Sequence, residues 1–198
     1  VAGSKGMAGS AIYRSLLKNG YGKKENGGIL LTPTRKDLDL SCNVSVKKWF
    51  GKNKPSVVII AAAKVGGILA NSTFPADFLL ENLKIQTNLI SACSEYQIKR
   101  SLFLGSSCIY PRNTLQPIDE ESLLSGPLEK TNEPYAIAKI AGIKLIETLA
   151  KQYHLDAISL MPTNLYGPKD NYDDSNSHVM AAMIKRFSKA KRLSLKSV

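Results

Sequence analysis

Long apolar runs are missing from this 198-residue chain. The longest, Val57 to Ala63, falls far short of the ~18 residues that a membrane helix needs, so no transmembrane segment is expected. Cysteine is scarce: Cys42, Cys93 and Cys108 are too few and too widely spaced for a disulfide framework or a zinc knuckle. No metal site is expected. No basic stretch followed by an apolar one opens the chain, which argues against a secretory leader and for a reducing, cytoplasmic compartment. Acidic residues are outnumbered, 16 against 27 basic, for a formal charge of +11. That excess invites a nucleic-acid reading. Its distribution speaks against one, because the cations are scattered singly except between Lys185 and Lys196, where Phe187 is the one aromatic available for base stacking. What is plentiful is apolar side chain, 43% of residues, enough at this length to bury one core.

Short apolar runs alternate with longer helical patterns, the order of βαβ units and a parallel sheet. Residues 29–31, 57–60, 102–104 and 157–161 read as strands apolar on both faces, as when helices cover both sides of a sheet. Met7 to Asn19, Val44 to Gly51, Phe78 to Tyr96 and Ala136 to Tyr153 read as helices, the last opened by Asn132-Glu133-Pro134. Leu193-Ser194-Leu195 reads as a further strand. Val1-Ala2 is a stub of the strand that should precede a glycine turn, so the chain is expected to be a fragment lacking both ends.

That turn, Gly3-Ser4-Lys5-Gly6-Met7-Ala8-Gly9, has the spacing GxxGxxG and opens a helix whose first amides suit a pyrophosphate. An NAD site wants an acidic residue after the second strand. Here Thr32-Pro33-Thr34 runs into Arg35-Lys36, and Lys5 sits in the turn, so a 2′-phosphate and NADP(H) are favoured. Tyr135 and Lys139 lie four apart on one helix face, where a cation favours the phenolate; the tyrosine pKa is expected to fall and its proton to exchange near neutrality. They follow a strand ending in Gly105-Ser106-Ser107, whose hydroxyls can reach a carbonyl beside the phenol. Strand-end serine, YxxxK and glycine turn together indicate carbonyl reduction or carbinol oxidation.

The segments Ala61-Ala-Ala-Lys-Val-Gly-Gly-Ile68, Leu104-Gly-Ser-Ser-Cys-Ile-Tyr-Pro111, Thr131-Asn-Glu-Pro-Tyr-Ala-Ile-Ala-Lys-Ile-Ala-Gly142, Met161-Pro-Thr-Asn-Leu-Tyr-Gly-Pro168 and Ser175-Asn-Ser-His178 resemble the GDP-L-fucose synthase family of extended short-chain dehydrogenases, across essentially the whole chain. The resemblance implies a Rossmann-type doubly wound α/β sheet, with residues 1–168 as the NADP-binding domain and 169–198 opening a substrate region that is mostly absent. It implies reduction at C4 by Ser106, Tyr135 and Lys139, with Lys139 also on the nicotinamide ribose, after inversion at C3 and C5 by Cys108 and His178. The implied cofactor residues are Gly3 to Met7 and Gly9, Arg35 and Leu40, Ala62 and Ala63, Leu104 to Ser107, Pro162 to Leu165, Tyr135, Lys139 and His178. Arg186 is implied for the GDP diphosphate. A GDP-sugar is the implied partner, with a homodimer packed through the catalytic helix, and no nucleic acid or membrane.

Blander readings exist for each residue. Cys108 read alone suits a small core residue, and His178 a surface or capping histidine. Cys42, Cys93 and His154 are read as structural, Trp49-Phe50 as core, and 185–196 as a solvated helix face apart from Arg186. The rival functions are another sugar-nucleotide epimerase or dehydratase that retains NAD, and a non-catalytic dinucleotide-binding module.

Overall fold

The computed structural model describes residues 1–23, 25, 28–174, 176–195 and 197. Ser175 and Lys196, each part of a stretch singled out above, lie outside the described residues. Helices α1 (Met7–Lys18), α2 (Asn43–Asn53), α3 (Ile68–Thr73), α4 (Pro75–Glu95), α5 (Glu133–Tyr153) and α6 (Val179–Arg192) alternate with strands β1 (Val57–Ile60), β2 (Arg100–Leu104) and β3 (Ala157–Leu160). The strands form one parallel sheet in the order β1-β2-β3, with Val58 opposite Ser101 and Leu102 opposite Ile158. Parallel neighbours require crossovers, and α4 and α5 supply them. Ala2 adds one parallel bridge to Ile60, so the glycine turn leaves from beside β1.

Local chemistry sets the helix ends. Pro75 and Pro134 stand in the first turns of α4 and α5, where a missing N–H costs nothing. Lys54 and His154 close α2 and α5 in left-handed conformation, so His154 is a capping residue as expected.

The pleat sorts the sheet into two unequal faces. Val58, Ile60 and Phe103 point into the main core with Leu89, Ile90 and Cys93 of α4 and Ile140, Ile143 and Ile146 of α5. Each large apolar side chain fully removed from water there contributes ~1.5–3 kcal/mol. Gly142 makes the approach of α5 possible: a Cβ there would lie 2.8 Å from the Phe103 ring. On the other face Ile59, Leu102, Leu104 and Leu160 meet Ala8, Ala11 and Ile12 of α1 around an apolar cleft. Ile158 and Leu160 stay 38% and 46% exposed, so the expectation of a sheet covered on both sides holds fully for one face only.

Two expected strands are not formed. Residues 29–31 form no ladder among the described residues; the Leu31 carbonyl accepts from the Val1 ammonium at 2.8 Å. Residues 193–195 instead close α6, with Ser194 at φ +51° and the Leu195 amide donating to the Ala190 carbonyl. Trp49 and Phe50 pack edge to face with centroids 5.7 Å apart, Phe50 in the core. Among the described residues no helix is long and apolar enough to cross a membrane, and no group of three or more metal-ligating side chains occurs.

Candidate active site

The glycine turn is shaped by its own backbone at two of its three glycines. Gly3 has φ +83°, and a Cβ there would meet the Ala62 amide nitrogen at 2.7 Å. A Cβ on Gly9 would come within 2.1 Å of the Gly3 carbonyl oxygen. Gly6 differs: its φ is −72°, and an added Cβ would touch only the Gly3 oxygen, at 3.5 Å. Its lack of a side chain therefore leaves room beside the N-terminus of α1, where no side chain caps the helix. A cradle that protein packing does not demand, at uncapped amides, fits a pyrophosphate. Ser4 is buried, Lys5 exposed, and Met7 opens the helix.

Arg35 and Lys36 are exposed on the turn that follows residues 29–34. The reading that no acid follows this segment needs correction, because Asp37 is two residues on. Its carboxylate is already engaged, accepting from the Thr34 hydroxyl at 2.7 Å and the Thr34 amide at 2.9 Å. Those bonds, with a smaller contribution from the Lys5 charge, hold its pKa below the usual carboxylate value. Asp39 is likewise tied to Ser41 and lies near Arg35. The corner so formed presents cations. Leu40 has a structural tie as well, its carbonyl accepting from the Asn88 amide at 2.9 Å.

Ala62 and Ala63 follow β1, half-buried, with Ala62 against Gly3. The Gly105 amide donates to the Leu160 carbonyl at 2.8 Å and the Ser107 amide to the Pro162 carbonyl at 3.1 Å. These bonds hold segments 104–107 and 160–165 side by side at the carboxyl ends of β2 and β3, where such sheets bind ligands. Thr163, Asn164 and Leu165 are exposed there.

Beside them stands the reactive cluster. Ser106 is extended, and its hydroxyl accepts from the Cys108 amide at 3.3 Å, opening a short 3-10 turn that carries the thiol. Tyr135 and Lys139 arrive on α5. Lys139 is 3% exposed; its Nζ donates to the Leu104 carbonyl at 2.7 Å and lies 4.7 Å from the Phe103 ring centroid and 5.7 Å from that of Tyr135. Burial pushes its pKa down to about 8. The expected lowering of the tyrosine pKa is overturned. Burial, then the nearby Cys108 charge, push Tyr135 up to about 12, against a weaker opposing hydrogen bond with Ser106. A phenolate taken out of water is costly, and Lys139, with its pKa of about 8, is already neutral at the pH where a phenol of about 12 ionises.

His178 comes on a different arm. It is the N-cap of α6, half-buried, and its imidazole does not cap the helix. The arm is joined to loop 61–67 through the Gly67 amide, which donates to the Asn176 carbonyl at 3.1 Å. Arg186 is exposed further along α6, next to Lys185, which pairs with Asp174 at 2.8 Å. The structure thus gathers Ser106, Cys108, Tyr135 and Lys139, and carries His178 and Arg186 on a separate arm that meets loop 61–67. Cys93 is buried as expected of a structural residue, whereas Cys42 is exposed at the N-cap of α2.

Sequence reasoning missed the residues that hold this arrangement. Phe103 faces the Lys139 ammonium, and Gln86 donates from Nε2 to the Ala138 carbonyl beside it. Asn82 is 2% exposed and fixes loop 61–67 by bonding both the amide and carbonyl of Lys64, at 2.8 and 2.9 Å. The available signal was Asn82 and Gln86, two amides one turn apart inside a largely apolar helix.

Residues 1–197 match the NAD dependent epimerase/dehydratase family. The chain is 53% identical over 192 residues to probable GDP-L-fucose synthase 1 of Oryza sativa subsp. japonica, covering 96% of this chain and 57% of the relative. It is thus a little over half the length of that relative. Among solved structures it resembles a GDP-6-OMe-4-keto-L-xylo-heptose reductase from C. jejuni, with a TM-score of 0.90 and 38% identity over 100% of this chain and 55% of the other. A GDP-L-fucose synthetase from Naegleria fowleri bound to NADP gives a TM-score of 0.85 at 30% identity, over 100% and 63%.

Proposed function

The chain belongs to the NAD dependent epimerase/dehydratase family, and we propose that its activity is NADPH-dependent 3,5-epimerisation and 4-reduction of GDP-4-keto-6-deoxy-D-mannose to GDP-L-fucose. The observation that carries this reading is the thiol of Cys108, two residues from Ser106 and electrostatically coupled to Tyr135. Epimerisation needs a proton-transfer group at that place, and reduction at C4 alone does not. The likeness to proteins named GDP-L-fucose synthase or synthetase supports the substrate, and the NADP-bound relative supports the cofactor.

In this reading the turn Gly3 to Gly9 and the start of α1 hold the pyrophosphate, Lys5 and Arg35 a 2′-phosphate, and Leu40 the adenosine end. Ala62, Ala63, Leu104 to Ser107 and Pro162 to Leu165 line the remainder, and Lys139 meets the ribose. Bound there, NADPH supplies hydride to C4. Tyr135, held as a neutral phenol, donates its proton to the C4 oxygen, with Ser106 hydrogen-bonded to the same oxygen. Inversion comes first. The carbons flanking the ketone are acidic, so a base removes a proton from one face, and an acid returns one to the other face of the enolate. Cys108 and His178 take these roles, while Tyr135 and Ser106 donate to the enolate oxygen. Arg186 meets the GDP diphosphate. Residues 1–168 form the cofactor domain and 169–198 begin the substrate region. A homodimer through α5, whose Ile137 and Tyr153 are exposed, and a cytoplasmic site complete the reading.

The test follows GDP-4-keto-6-deoxy-D-mannose in D2O with NADPH. Deuterium at C3 and C5 together with GDP-L-fucose as product is the expected result, both exchanges failing in Cys108→Ala and reduction failing in Tyr135→Phe. The second reading is C4 reduction alone, favoured by the likeness to a C. jejuni reductase. NADPH oxidation without deuterium at either carbon would establish it.

A further inference from the structure

Gly67 has φ −67°, a conformation open to any residue, so backbone freedom does not explain it. Space does. A Cβ there would lie 2.5 Å from the Ser177 carbonyl oxygen, the residue just before His178. The Gly67 amide donates to the Asn176 carbonyl in the same contact. The loop that offers this amide is held from two directions. Asn71, 5% exposed, donates from Nδ2 to the carbonyls of Gly66 at 2.8 Å and Gly67 at 3.0 Å. Asn82 grips the Lys64 backbone on both sides, and the Lys64 ammonium pairs with Glu81 at 2.6 Å and Asp77 at 3.1 Å. At its other end the same loop abuts the glycine turn, where Ala62 meets Gly3.

We propose that the clamped Gly66-Gly67 turn is the seat that positions His178 for its proton transfers at the sugar. The reading of His178 as an epimerisation acid or base is the premise. His178 is the N-cap of α6, and its imidazole does not cap that helix, so the backbone just before it sets its place. That backbone is held by the Ser177 amide, which donates to the Asp173 carbonyl at 3.1 Å, and by the Gly67 contact. A methyl group at Gly67 displaces Ser177 and His178 with it. Proton transfer tolerates little displacement: roughly 1 Å can cost about a hundredfold.

The measurement is the rate of inverting exchange, deuterium entering C3 and C5 of the keto-sugar with change of configuration as read by NMR, in Gly67→Ala, His178→Gln and the double variant, with NADPH affinity measured alongside by fluorescence. Exchange in Gly67→Ala is expected to fall by about tenfold to a hundredfold while NADPH affinity falls no further than it does in His178→Gln. The double variant is expected to be no slower than His178→Gln alone, a non-additivity that a general folding defect would not produce. Should Gly67→Ala fail to fold, Asn71→Ala removes the two bonds that hold the turn and carries the same expectation. Exchange lost in His178→Gln but intact in the seat variant overturns the proposal and leaves the role of His178 standing. Exchange intact in His178→Gln removes the premise itself.

Discussion

Replacing Lys139 by methionine should abolish reduction and yet strengthen the fold near neutral pH. The ammonium is 3% exposed, and burial takes its pKa from 10.5 to about 8. At ~1.4 kcal/mol per pKa unit, keeping that charge in the folded state at pH 7 costs about 3 kcal/mol. Methionine removes the cost at similar volume but deprives the Leu104 carbonyl of its donor, a loss of ~1–3 kcal/mol. The net gain at pH 7 is therefore ~0–2 kcal/mol, and roughly 2–4 °C of Tm for each kcal/mol. The pH dependence is the sharper test. A lysine with a lowered folded pKa contributes least below that pKa, and its stability is recovered as pH rises from about 8 to 10.5, where the unfolded chain also loses the proton. The advantage of Lys139→Met over wild type should accordingly shrink by about 3 kcal/mol across that window. Cys93 and Tyr135 both have raised pKa values and work in the opposite direction above pH ~9–10, but both proteins contain them, so the difference isolates Lys139. Urea unfolding of both proteins at intervals from pH 7 to 10.5 gives the curve. A stability difference that is flat over this range would refute the burial argument, and retained NADPH oxidation would refute the role of Lys139.

Arg35→Ala should raise the KM for NADPH by about tenfold to a hundredfold and leave that for NADH nearly unchanged, as loss of one charge-assisted contact requires; equal effects on both would place Arg35 away from the 2′-phosphate. A thiol reagent should label Cys42 at once and Cys93 only after unfolding, since one is exposed and the other buried with its thiol pushed up to about 12. Mass mapping after brief exposure decides between them.

Much of this was legible because the relevant signals are local. Four of the helices and three strands follow from apolar periodicity and from prolines in first turns, and Gly3 and Gly9 from a spacing that the backbone itself imposes. What was not legible depends on partners distant in sequence. Residues 29–31 have the composition of a strand, but a strand is completed by pairing, and among the described residues they form no ladder. Residues 193–195 look β-like by side chain but close α6 by backbone bonding. The Tyr135 error has the same origin. Spacing put an ammonium on its helix face, but could not reveal that Leu104, thirty-five positions away, takes that ammonium's hydrogen bond or that both groups are buried.

The raised tyrosine pKa changes how the two halves of the proposed reaction fit together. A phenol near 12 is fully protonated at neutral pH, so Tyr135 begins as a proton donor, the state that carbonyl reduction needs; a pKa near neutrality would leave much of it unable to donate. Charge on Cys108 raises that pKa further. A negative charge at that position therefore disfavours the phenolate next to it, which keeps Tyr135 a proton donor. When the proton does leave for the C4 oxygen, the buried phenolate is unstable, and the nearby ammonium of Lys139, with its pKa lowered to about 8, gives up a proton more readily than an ordinary lysine. Burial of the whole cluster, which looks unfavourable for each charge taken singly, thus favours the protonated phenol that the proposed epimerisation and reduction both require.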